Sequence, residues 1–303
     1  MNIVFMGPPD FAATSLAALI GAGHNILAVF TQPDKPVGRH RVLTAPPVKE
    51  LALKNNISVF QPQSLKDGKA ENILKELCPE VVVVVAYGKI IPESMLSLAP
   101  FINVHGSLLP KYRGAAPIQW SVINGEKYGG VTTMFMDKGL DTGDIILKDK
   151  TEIKECETSK ELYERLANIG ADLLLKTLDL IKAGKAPREK QDDSKSSYAP
   201  MLNKEMAVLD FSKGKKEICS LICGLNPWPV AYTMLEGKRL KVFLAKPCEN
   251  KGKAGEIIDN KKFIVGCADG SVEFLSVQLE GSKMQSGEEF LRGKRLEIGS
   301  ILG

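Results

Sequence analysis

Residues Val81 to Ala86 read VVVVVA, an apolar run with no polar residue on either alternating face. A strand that is apolar on both faces must be covered on both, as in the middle of a parallel sheet flanked by helices. The surrounding sequence agrees with that placement. Short runs rich in β-branched residues, at Ile3 to Met6, Ile26 to Thr31, Ser58 to Phe60, Ile102 to Val104 and Val131 to Met136, punctuate the first half of the chain. Between them lie amphipathic stretches at Phe11 to Ile20, Pro47 to Lys54, Lys69 to Leu77 and Ala115 to Asn124. This alternation is a βαβ rhythm and predicts an open, mostly parallel, Rossmann-like α/β sheet.

Thr158 is placed as an N-cap for a long helix ending at Ile181, with Leu162, Leu166, Ile169, Leu173 and Leu180 at helical spacing before Gly184. Residues 185–205 follow, a polar stretch with Pro187, Pro200 and a run from Gln191 to Ser197 that lacks apolar anchors. That composition predicts a linker between a first domain at 1–184 and a second at 206–303. Beyond Met206 the pattern becomes Ala231 to Leu235, Lys241 to Ala245, Gly255 to Asp259, Phe263 to Cys267 and Val272 to Gln278, separated by Gly, Asn or Lys turns. Regularly spaced short strands predict a small β-barrel, an OB-like one first among the candidates.

The net charge of +4 over 303 residues permits a polyanionic partner without requiring one. The six cysteines lack the paired close spacings of a zinc site or disulfide scaffold, and only three histidines are present, so no metal is expected. The N-terminus MNIVFMGPPDF has no signal-peptide pattern, and no run approaches the roughly 18 apolar residues of a membrane span. A cytoplasmic location is expected.

Ligands of open α/β sheets bind beyond the carboxyl ends of the strands. Asn103 and His105 sit at such an end, two apart and therefore on one side of an extended segment, with Gly106, Ser107 and Pro110 terminating the strand. A histidine in an apolar strand also serves as a hydrogen-bonded core residue, but this one is placed at the rim. Asp137, Asp141 and Asp144 lie in a Gly-broken turn after the next strand, where an aspartate commonly caps its own backbone. Together, an amide, an imidazole and a carboxylate supply what acyl transfer to an amine requires. The amide and an imidazolium can stabilise an oxyanion, and the carboxylate can hold the imidazole's charge state or accept the amine's proton. No Gly-x-Ser-x-Gly elbow is present, so direct transfer through a tetrahedral intermediate is expected rather than an acyl-enzyme.

Met6-Gly-Pro-Pro-Asp-Phe-Ala12, Thr31-Gln-Pro-Asp-Lys-Pro-Val-Gly-Arg39, Asn103-Val-His-Gly-Ser-Leu-Leu-Pro-Lys-Tyr-Arg-Gly-Ala-Ala-Pro117, Asp137 through Asp144 and Asn226-Pro-Trp-Pro229 resemble the folate-dependent formyltransferase family, in its branch acting on methionyl-tRNA. The resemblance spans both predicted domains in order. It implies a formyltransferase-fold catalytic domain, a C-terminal OB-like domain that helps hold tRNA, and catalytic positions at Asn103, His105 and Asp141. It further implies folate contacts at Ser107, Leu108, Leu109 and Pro110, 10-formyltetrahydrofolate as formyl donor, and initiator methionyl-tRNA as acceptor. The loop Gln32 to Lys49 carries Lys35, Arg39, His40, Arg41 and Lys49 among four prolines, a composition suited to a phosphate backbone and an unpaired acceptor end. The position matching Arg39 acts in tRNA recognition in the family; Arg39, Lys35 and Arg41 are the expected tRNA contacts, and a monomer is expected. Pro8, Cys223 and Val230 depart from the family pattern, standing where Thr, Arg and Gly are usual.

A dinucleotide-dependent oxidoreductase is disfavoured, because Pro8, Pro9 and Asp10 follow Gly7 where a pyrophosphate needs further glycines. A purely RNA-binding protein leaves Asn103, His105 and Asp141 unexplained. A formyltransferase for a small amine is disfavoured by the basic loop and the second domain.

Overall fold

Strand β1 (Asn2–Met6), helix α1 (Asp10–Gly21) and strand β2 (Asn25–Phe30) open the chain in a computed structural model that describes residues 1–38, 41–259, 261–294 and 296–303. Next comes a short antiparallel hairpin, β3 (Lys35–Val37) and β4 (Val42–Thr44), then α2 (Pro47–Lys54), β5 (Val59–Phe60) and α3 (Lys69–Leu77). The valine run is β6 (Val81–Val84), followed by α4 (Glu93–Leu96), β7 (Phe101–His105), β8 (Arg113–Gly114) and α5 (Pro117–Ile123). Strands β9 (Tyr128–Phe135) and β10 (Ile145–Glu152), helix α6 (Ser159–Lys182) and strand β11 (Tyr198–Ala199) complete this part.

The main sheet has the order β10-β9-β7-β6-β1-β2-β5. Pairings among β5, β2, β1, β6 and β7 are parallel, whereas β9 joins β7 antiparallel. The valine strand thus lies between β1 and β7, and Val81, Val82 and Val83 are wholly buried. On one face Val82 and Val84 join Val4, Met6, Ala28 and Phe30 beneath Ala70, Leu74 and Met95. Each large side chain removed from water in this way contributes about 1.5–3 kcal/mol. A reciprocal cap starts α6: Thr158 donates its N–H and hydroxyl to Glu161 (2.9 and 2.7 Å), and the Glu161 N–H is directed to Thr158 Oγ1 at 3.3 Å.

Two spatial units emerge, and neither is continuous in sequence. One comprises Met1–Ala115, Gly130–Thr151 and Tyr163–Ala199; the other Ala116–Gly129, Glu152–Leu162 and Pro200–Gly303. The stretch expected to act as a linker is therefore divided, and its part up to Ala199 is built into the first unit. Glu189 exchanges two backbone hydrogen bonds with Ile145, and β11 pairs with β8, Tyr198 opposite Arg113 and Ala199 opposite Gly114. A polar segment needs no apolar anchor when its backbone groups are satisfied by a sheet edge, which is why its composition resembles that of a tether.

The second unit contains α5, helix α7 (Lys215–Gly224), strands β12 (Tyr232–Leu235), β13 (Lys238–Cys248), β14 (Ile257–Asp259), β15 (Ile264–Cys267), β16 (Gly270–Leu279) and β17 (Gln285–Ser286), and helix α8 (Gly287–Gly293). Its antiparallel pairings run β12-β13-β16-β15-β14, with β17 on β16. This is the small β-domain expected, and register shifts around Leu244 supply the local twist that curved sheets use. Its core includes Phe274 against Phe263, and Phe263 stacked on Phe290 with ring centres 5.6 Å apart. Helix α7 buries Ile218, Cys219, Ile222 and Cys223. A Cβ at Gly224 would come within 2.3 Å of an Ile123 side-chain carbon, so this residue lets α7 approach α5.

Candidate active site

Strand β7 ends in Asn103-Val-His, paired antiparallel so that Asn103 lies opposite Met134 and His105 opposite Thr132. Asn103 and His105 are both buried. Their common partner comes from the loop between β9 and β10. Asp141, held in the left-handed backbone region at φ 53°, brings Oδ1 to 3.3 Å from Asn103 Nδ2 and Oδ2 to 3.7 Å from His105 Nδ1. The backbone N–H of Gly114 donates to Asp141 Oδ2 at 2.9 Å. The three predicted side chains therefore converge. His105 Nε2 lies 2.9 Å from the Tyr112 carbonyl, which can only accept, so this nitrogen carries a hydrogen.

Geometry separates the three aspartates. Asp137 accepts from the Gly139 N–H and the Thr142 hydroxyl, stabilising its own turn, and Asp144 faces Arg188 at 3.4 Å. Only Asp141 of the three is brought to Asn103 and His105. The loop returns so tightly on β9 that a Cβ at Gly143 would lie 1.7 Å from the Phe135 carbonyl oxygen.

The turn after β7 is fixed from inside. Thr132 donates its hydroxyl to the Ser107 carbonyl (2.7 Å) and accepts from the Leu109 N–H (3.1 Å), while the Ser107 hydroxyl donates to the Lys111 carbonyl (2.6 Å). Leu109 packs with Met134 and Ile145, and the Leu109–Pro110 peptide is cis. Ser107 and Leu109 thus point inward, whereas Leu108 and Pro110 are half-buried.

Parallel β2, β6 and β7 direct their carboxyl ends to one edge of the sheet. Thr31, just past β2, and Tyr87, just past β6, are buried, and neither hydroxyl has a hydrogen-bond partner among the described residues. Burial pushes the Tyr87 phenol up to about 12.

Lys35 and Arg41 are exposed on the β3–β4 hairpin segment; Arg39, the first of the expected tRNA contacts, lies outside the described residues. The Lys35 ammonium reaches Gln32 Oε1 at 2.6 Å. Lys49 instead anchors the base of the hairpin, its ammonium bonding both Asp34 oxygens (2.9 and 2.8 Å) and Gln61 Oε1 (2.9 Å). The Lys49 and Gln61 hydrogen bonds hold the Asp34 carboxyl below the usual range.

Sequence reasoning missed several residues that shape this site. Gln191 donates to the carbonyls of Asp141 (2.8 Å) and Gly143 (2.9 Å), yet it lies in a polar run with no periodic signal. Thr132 has the look of an ordinary strand residue, although a threonine opposite a strand-end histidine is a detectable hint. Among the described residues, no group of three or more His, Cys, Asp or Glu side chains is placed to hold a metal, and no helix is long and apolar enough to cross a membrane. Burial pushes the Cys223 thiol up to about 12. Val230, which departs from the family pattern, adopts φ 69°, a region in which a β-branched residue is strained and glycine is not.

A family model described as "Formyl transferase" matches residues 1–178, and one described as "Formyl transferase, C-terminal domain" matches residues 201–295. The chain is 48% identical over 308 residues to a methionyl-tRNA formyltransferase of Caldanaerobacter subterraneus subsp. tengcongensis, with 100% of each chain covered. It is also 48% identical over 310 residues to a methionyl-tRNA formyltransferase of Pelotomaculum thermopropionicum, covering 100% of this chain and 99% of that one. Among solved structures it is similar to WlaRD, a sugar 3N-formyl transferase crystallised with dTDP and 5-N-formyl-THF, at TM-score 0.71 and 21% identity over 93% of this chain and 99% of that one. HypX from Aquifex aeolicus in complex with tetrahydrofolic acid gives TM-score 0.63 and 17% identity over 99% of this chain and 50% of HypX. At these identities the structural likeness speaks for the fold.

Proposed function

Because the chain belongs to the methionyl-tRNA formyltransferase family, we propose that Asn103, His105 and Asp141 carry its reaction, the transfer of a formyl group from 10-formyltetrahydrofolate to the α-amino group of methionyl-tRNA. The observation that supports this assignment is the convergence of the three side chains, with Asp141 3.3 Å from Asn103 and 3.7 Å from His105. We further take initiator tRNA as the acceptor, a monomer as the working form and the cytoplasm as the location.

The amine nitrogen attacks the formyl carbon, a C–N bond forms and the carbonyl electrons move to oxygen. Asn103 has two amide hydrogens, of which one is directed at Asp141, so the other is available to the developing oxyanion. Asp141 Oδ2 and His105 Nδ1 are separated by 3.7 Å, so one nitrogen can lie within about 2.9 Å of both and hand over its proton there. The bond from the formyl carbon to the folate nitrogen then breaks, and that nitrogen takes a proton. This division differs from the sequence-based expectation in one respect. With Nε2–H given to Tyr112, His105 pairs with Asp141 as a proton-handling group, and the oxyanion is left chiefly to Asn103.

For the donor we assign the turn Ser107, Leu108, Leu109 and Pro110, with Ser107 and Leu109 shaping it from within. For the acceptor we assign Arg39, Lys35 and Arg41, with the C-terminal unit assisting in holding tRNA. The test is to supply 10-formyltetrahydrofolate and methionyl-tRNA and to detect N-formylmethionine. His105→Ala should lose at least about a hundredfold in kcat while tRNA binding stays within about threefold, since the group acts in the transition state. Turnover close to wild type in that variant refutes the assignment.

A further inference from the structure

We propose that Gln191 is a positioning residue for the formyl transfer, holding the Asp141 loop from the segment after α6; the inference rests on Asp141 being the site's carboxylate. The Gln191 amide is saturated in a single orientation. Its Nε2 donates to the Asp141 carbonyl (2.8 Å) and the Gly143 carbonyl (2.9 Å), the carbonyls of the two residues on either side of Thr142. Its Oε1 accepts from Arg113 Nε (3.1 Å) and Nη2 (2.9 Å). Donors on one side and acceptors on the other leave no freedom to flip the amide.

Arg113 closes the circuit. Its guanidinium is largely buried and also meets Asp193 at 2.7 Å, while the next residue, Gly114, donates its N–H to Asp141 Oδ2 at 2.9 Å. One side chain therefore joins the backbone of the catalytic loop to the strand whose N–H orients the catalytic carboxylate. The same segment holds that strand a second time, through Ser197 Oγ to the Tyr112 N–H (2.9 Å) and the Ser197 carbonyl to the Arg113 N–H (2.9 Å). Tyr112 is the residue whose carbonyl takes His105 Nε2–H. Gln191 is also half-buried between exposed neighbours, as expected of an inward-facing anchor in a surface segment.

The need for such an anchor follows from the backbone. Asp141 is a non-glycine residue at φ 53°, a conformation that surrounding contacts must impose. Its carbonyl is fixed by Gln191 and its carboxylate by Gly114, so releasing one end lets the loop relax and carries the carboxylate away from Asn103 and His105. A displacement of about 1 Å at a reacting group costs on the order of a hundredfold in rate.

The test uses the full chain with 10-formyltetrahydrofolate and methionyl-tRNA. Gln191→Glu keeps the size and an acceptor for Arg113 but removes both N–H donors; Gln191→Leu removes the whole amide. Both should lower kcat about ten- to a hundredfold, with KM for both substrates within about threefold, because positioning acts on the transition state. Arg113→Lys should give a smaller loss in the same direction. Asp141→Asn should lose more, and Asp141→Asn with Gln191→Glu should fall no further than Asp141→Asn, within about twofold, since Gln191 works through Asp141. A Gln191→Glu enzyme within twofold of wild-type kcat, alongside an inactive Asp141→Asn, overturns the proposal, and so does a double variant whose loss is the product of the single losses. An active Asp141→Asn overturns the reading of the carboxylate itself, and the role of Gln191 falls with it.

Discussion

Replacing Thr132 with valine isolates the two hydrogen bonds that fix the turn after β7. Thr132 is wholly buried, and valine has its shape, so no cavity opens. What changes is that the Leu109 N–H and the Ser107 carbonyl, bonded at 3.1 and 2.7 Å, lose their partner together. A buried group left unsatisfied costs about 1–3 kcal/mol, so two cost about 2–6 kcal/mol. A methyl in place of a buried hydroxyl returns about 1 kcal/mol, leaving a net loss of about 1–5 kcal/mol. Against a total of about 5–15 kcal/mol the protein should remain folded with a measurable deficit. Trp120 and Trp228 both belong to the second unit, so tryptophan fluorescence would follow the wrong part of the molecule. Urea unfolding followed by far-ultraviolet circular dichroism reports on both units together, and amide hydrogen exchange read at Leu109 reports on the first unit directly. Thr132→Val should shift the midpoint downward and lose Leu109 protection, while Thr132→Ser, which keeps the hydroxyl, should retain that protection. A Thr132→Val protein destabilised by less than about 1 kcal/mol, with Leu109 as protected as before, would show that these bonds do not hold the turn.

Gly143→Ala puts a carbon 1.7 Å from the Phe135 carbonyl oxygen, so the Asp141 loop must shift by more than 1 Å and kcat should fall at least about a hundredfold; kcat within threefold of wild type contradicts the packing described. Thr158→Ala removes the reciprocal cap of α6 and should cost about 1 kcal/mol at neutral pH in urea unfolding. The hydrogen bonds from the Thr158 N–H and hydroxyl lower the Glu161 carboxyl below its unfolded value. Their stabilisation is therefore complete above the unfolded carboxylate range, near pH 4.3, and is lost as pH falls through the lower folded value. The gap between wild type and Thr158→Ala should narrow at acid pH, and a gap that widens there reverses the assigned sign.

Local pattern carried much of the fold. The valine run is a middle strand because nothing polar interrupts either face, and α2 and α3 begin and end where their periodicity does, at Pro47–Lys54 and Lys69–Leu77. The β3–β4 hairpin leaves no alternation to read, since each strand has three residues and β4 is fully exposed. Helix α7 does not stand out in the sequence, because its ten residues sit in a β-rich neighbourhood. In the polar run 185–199, backbone pairing supplied an order that composition does not encode.

The residue types needed at the site were legible along the chain: an amide and an imidazole two apart at the end of a strand, and a carboxylate in a glycine-broken turn. Which carboxylate meets them was decided by sheet order. Asp137, Asp141 and Asp144 share one loop and one local chemistry, and only the antiparallel entry of β9 beside β7, with the left-handed turn at Asp141, aims one of them at Asn103 across 38 positions of sequence. Gln191 reaches the same loop across 50 positions. Periodicity and turn chemistry act over a few residues and can be read from a string; a hydrogen bond between distant segments exists only after the sheet has brought them together.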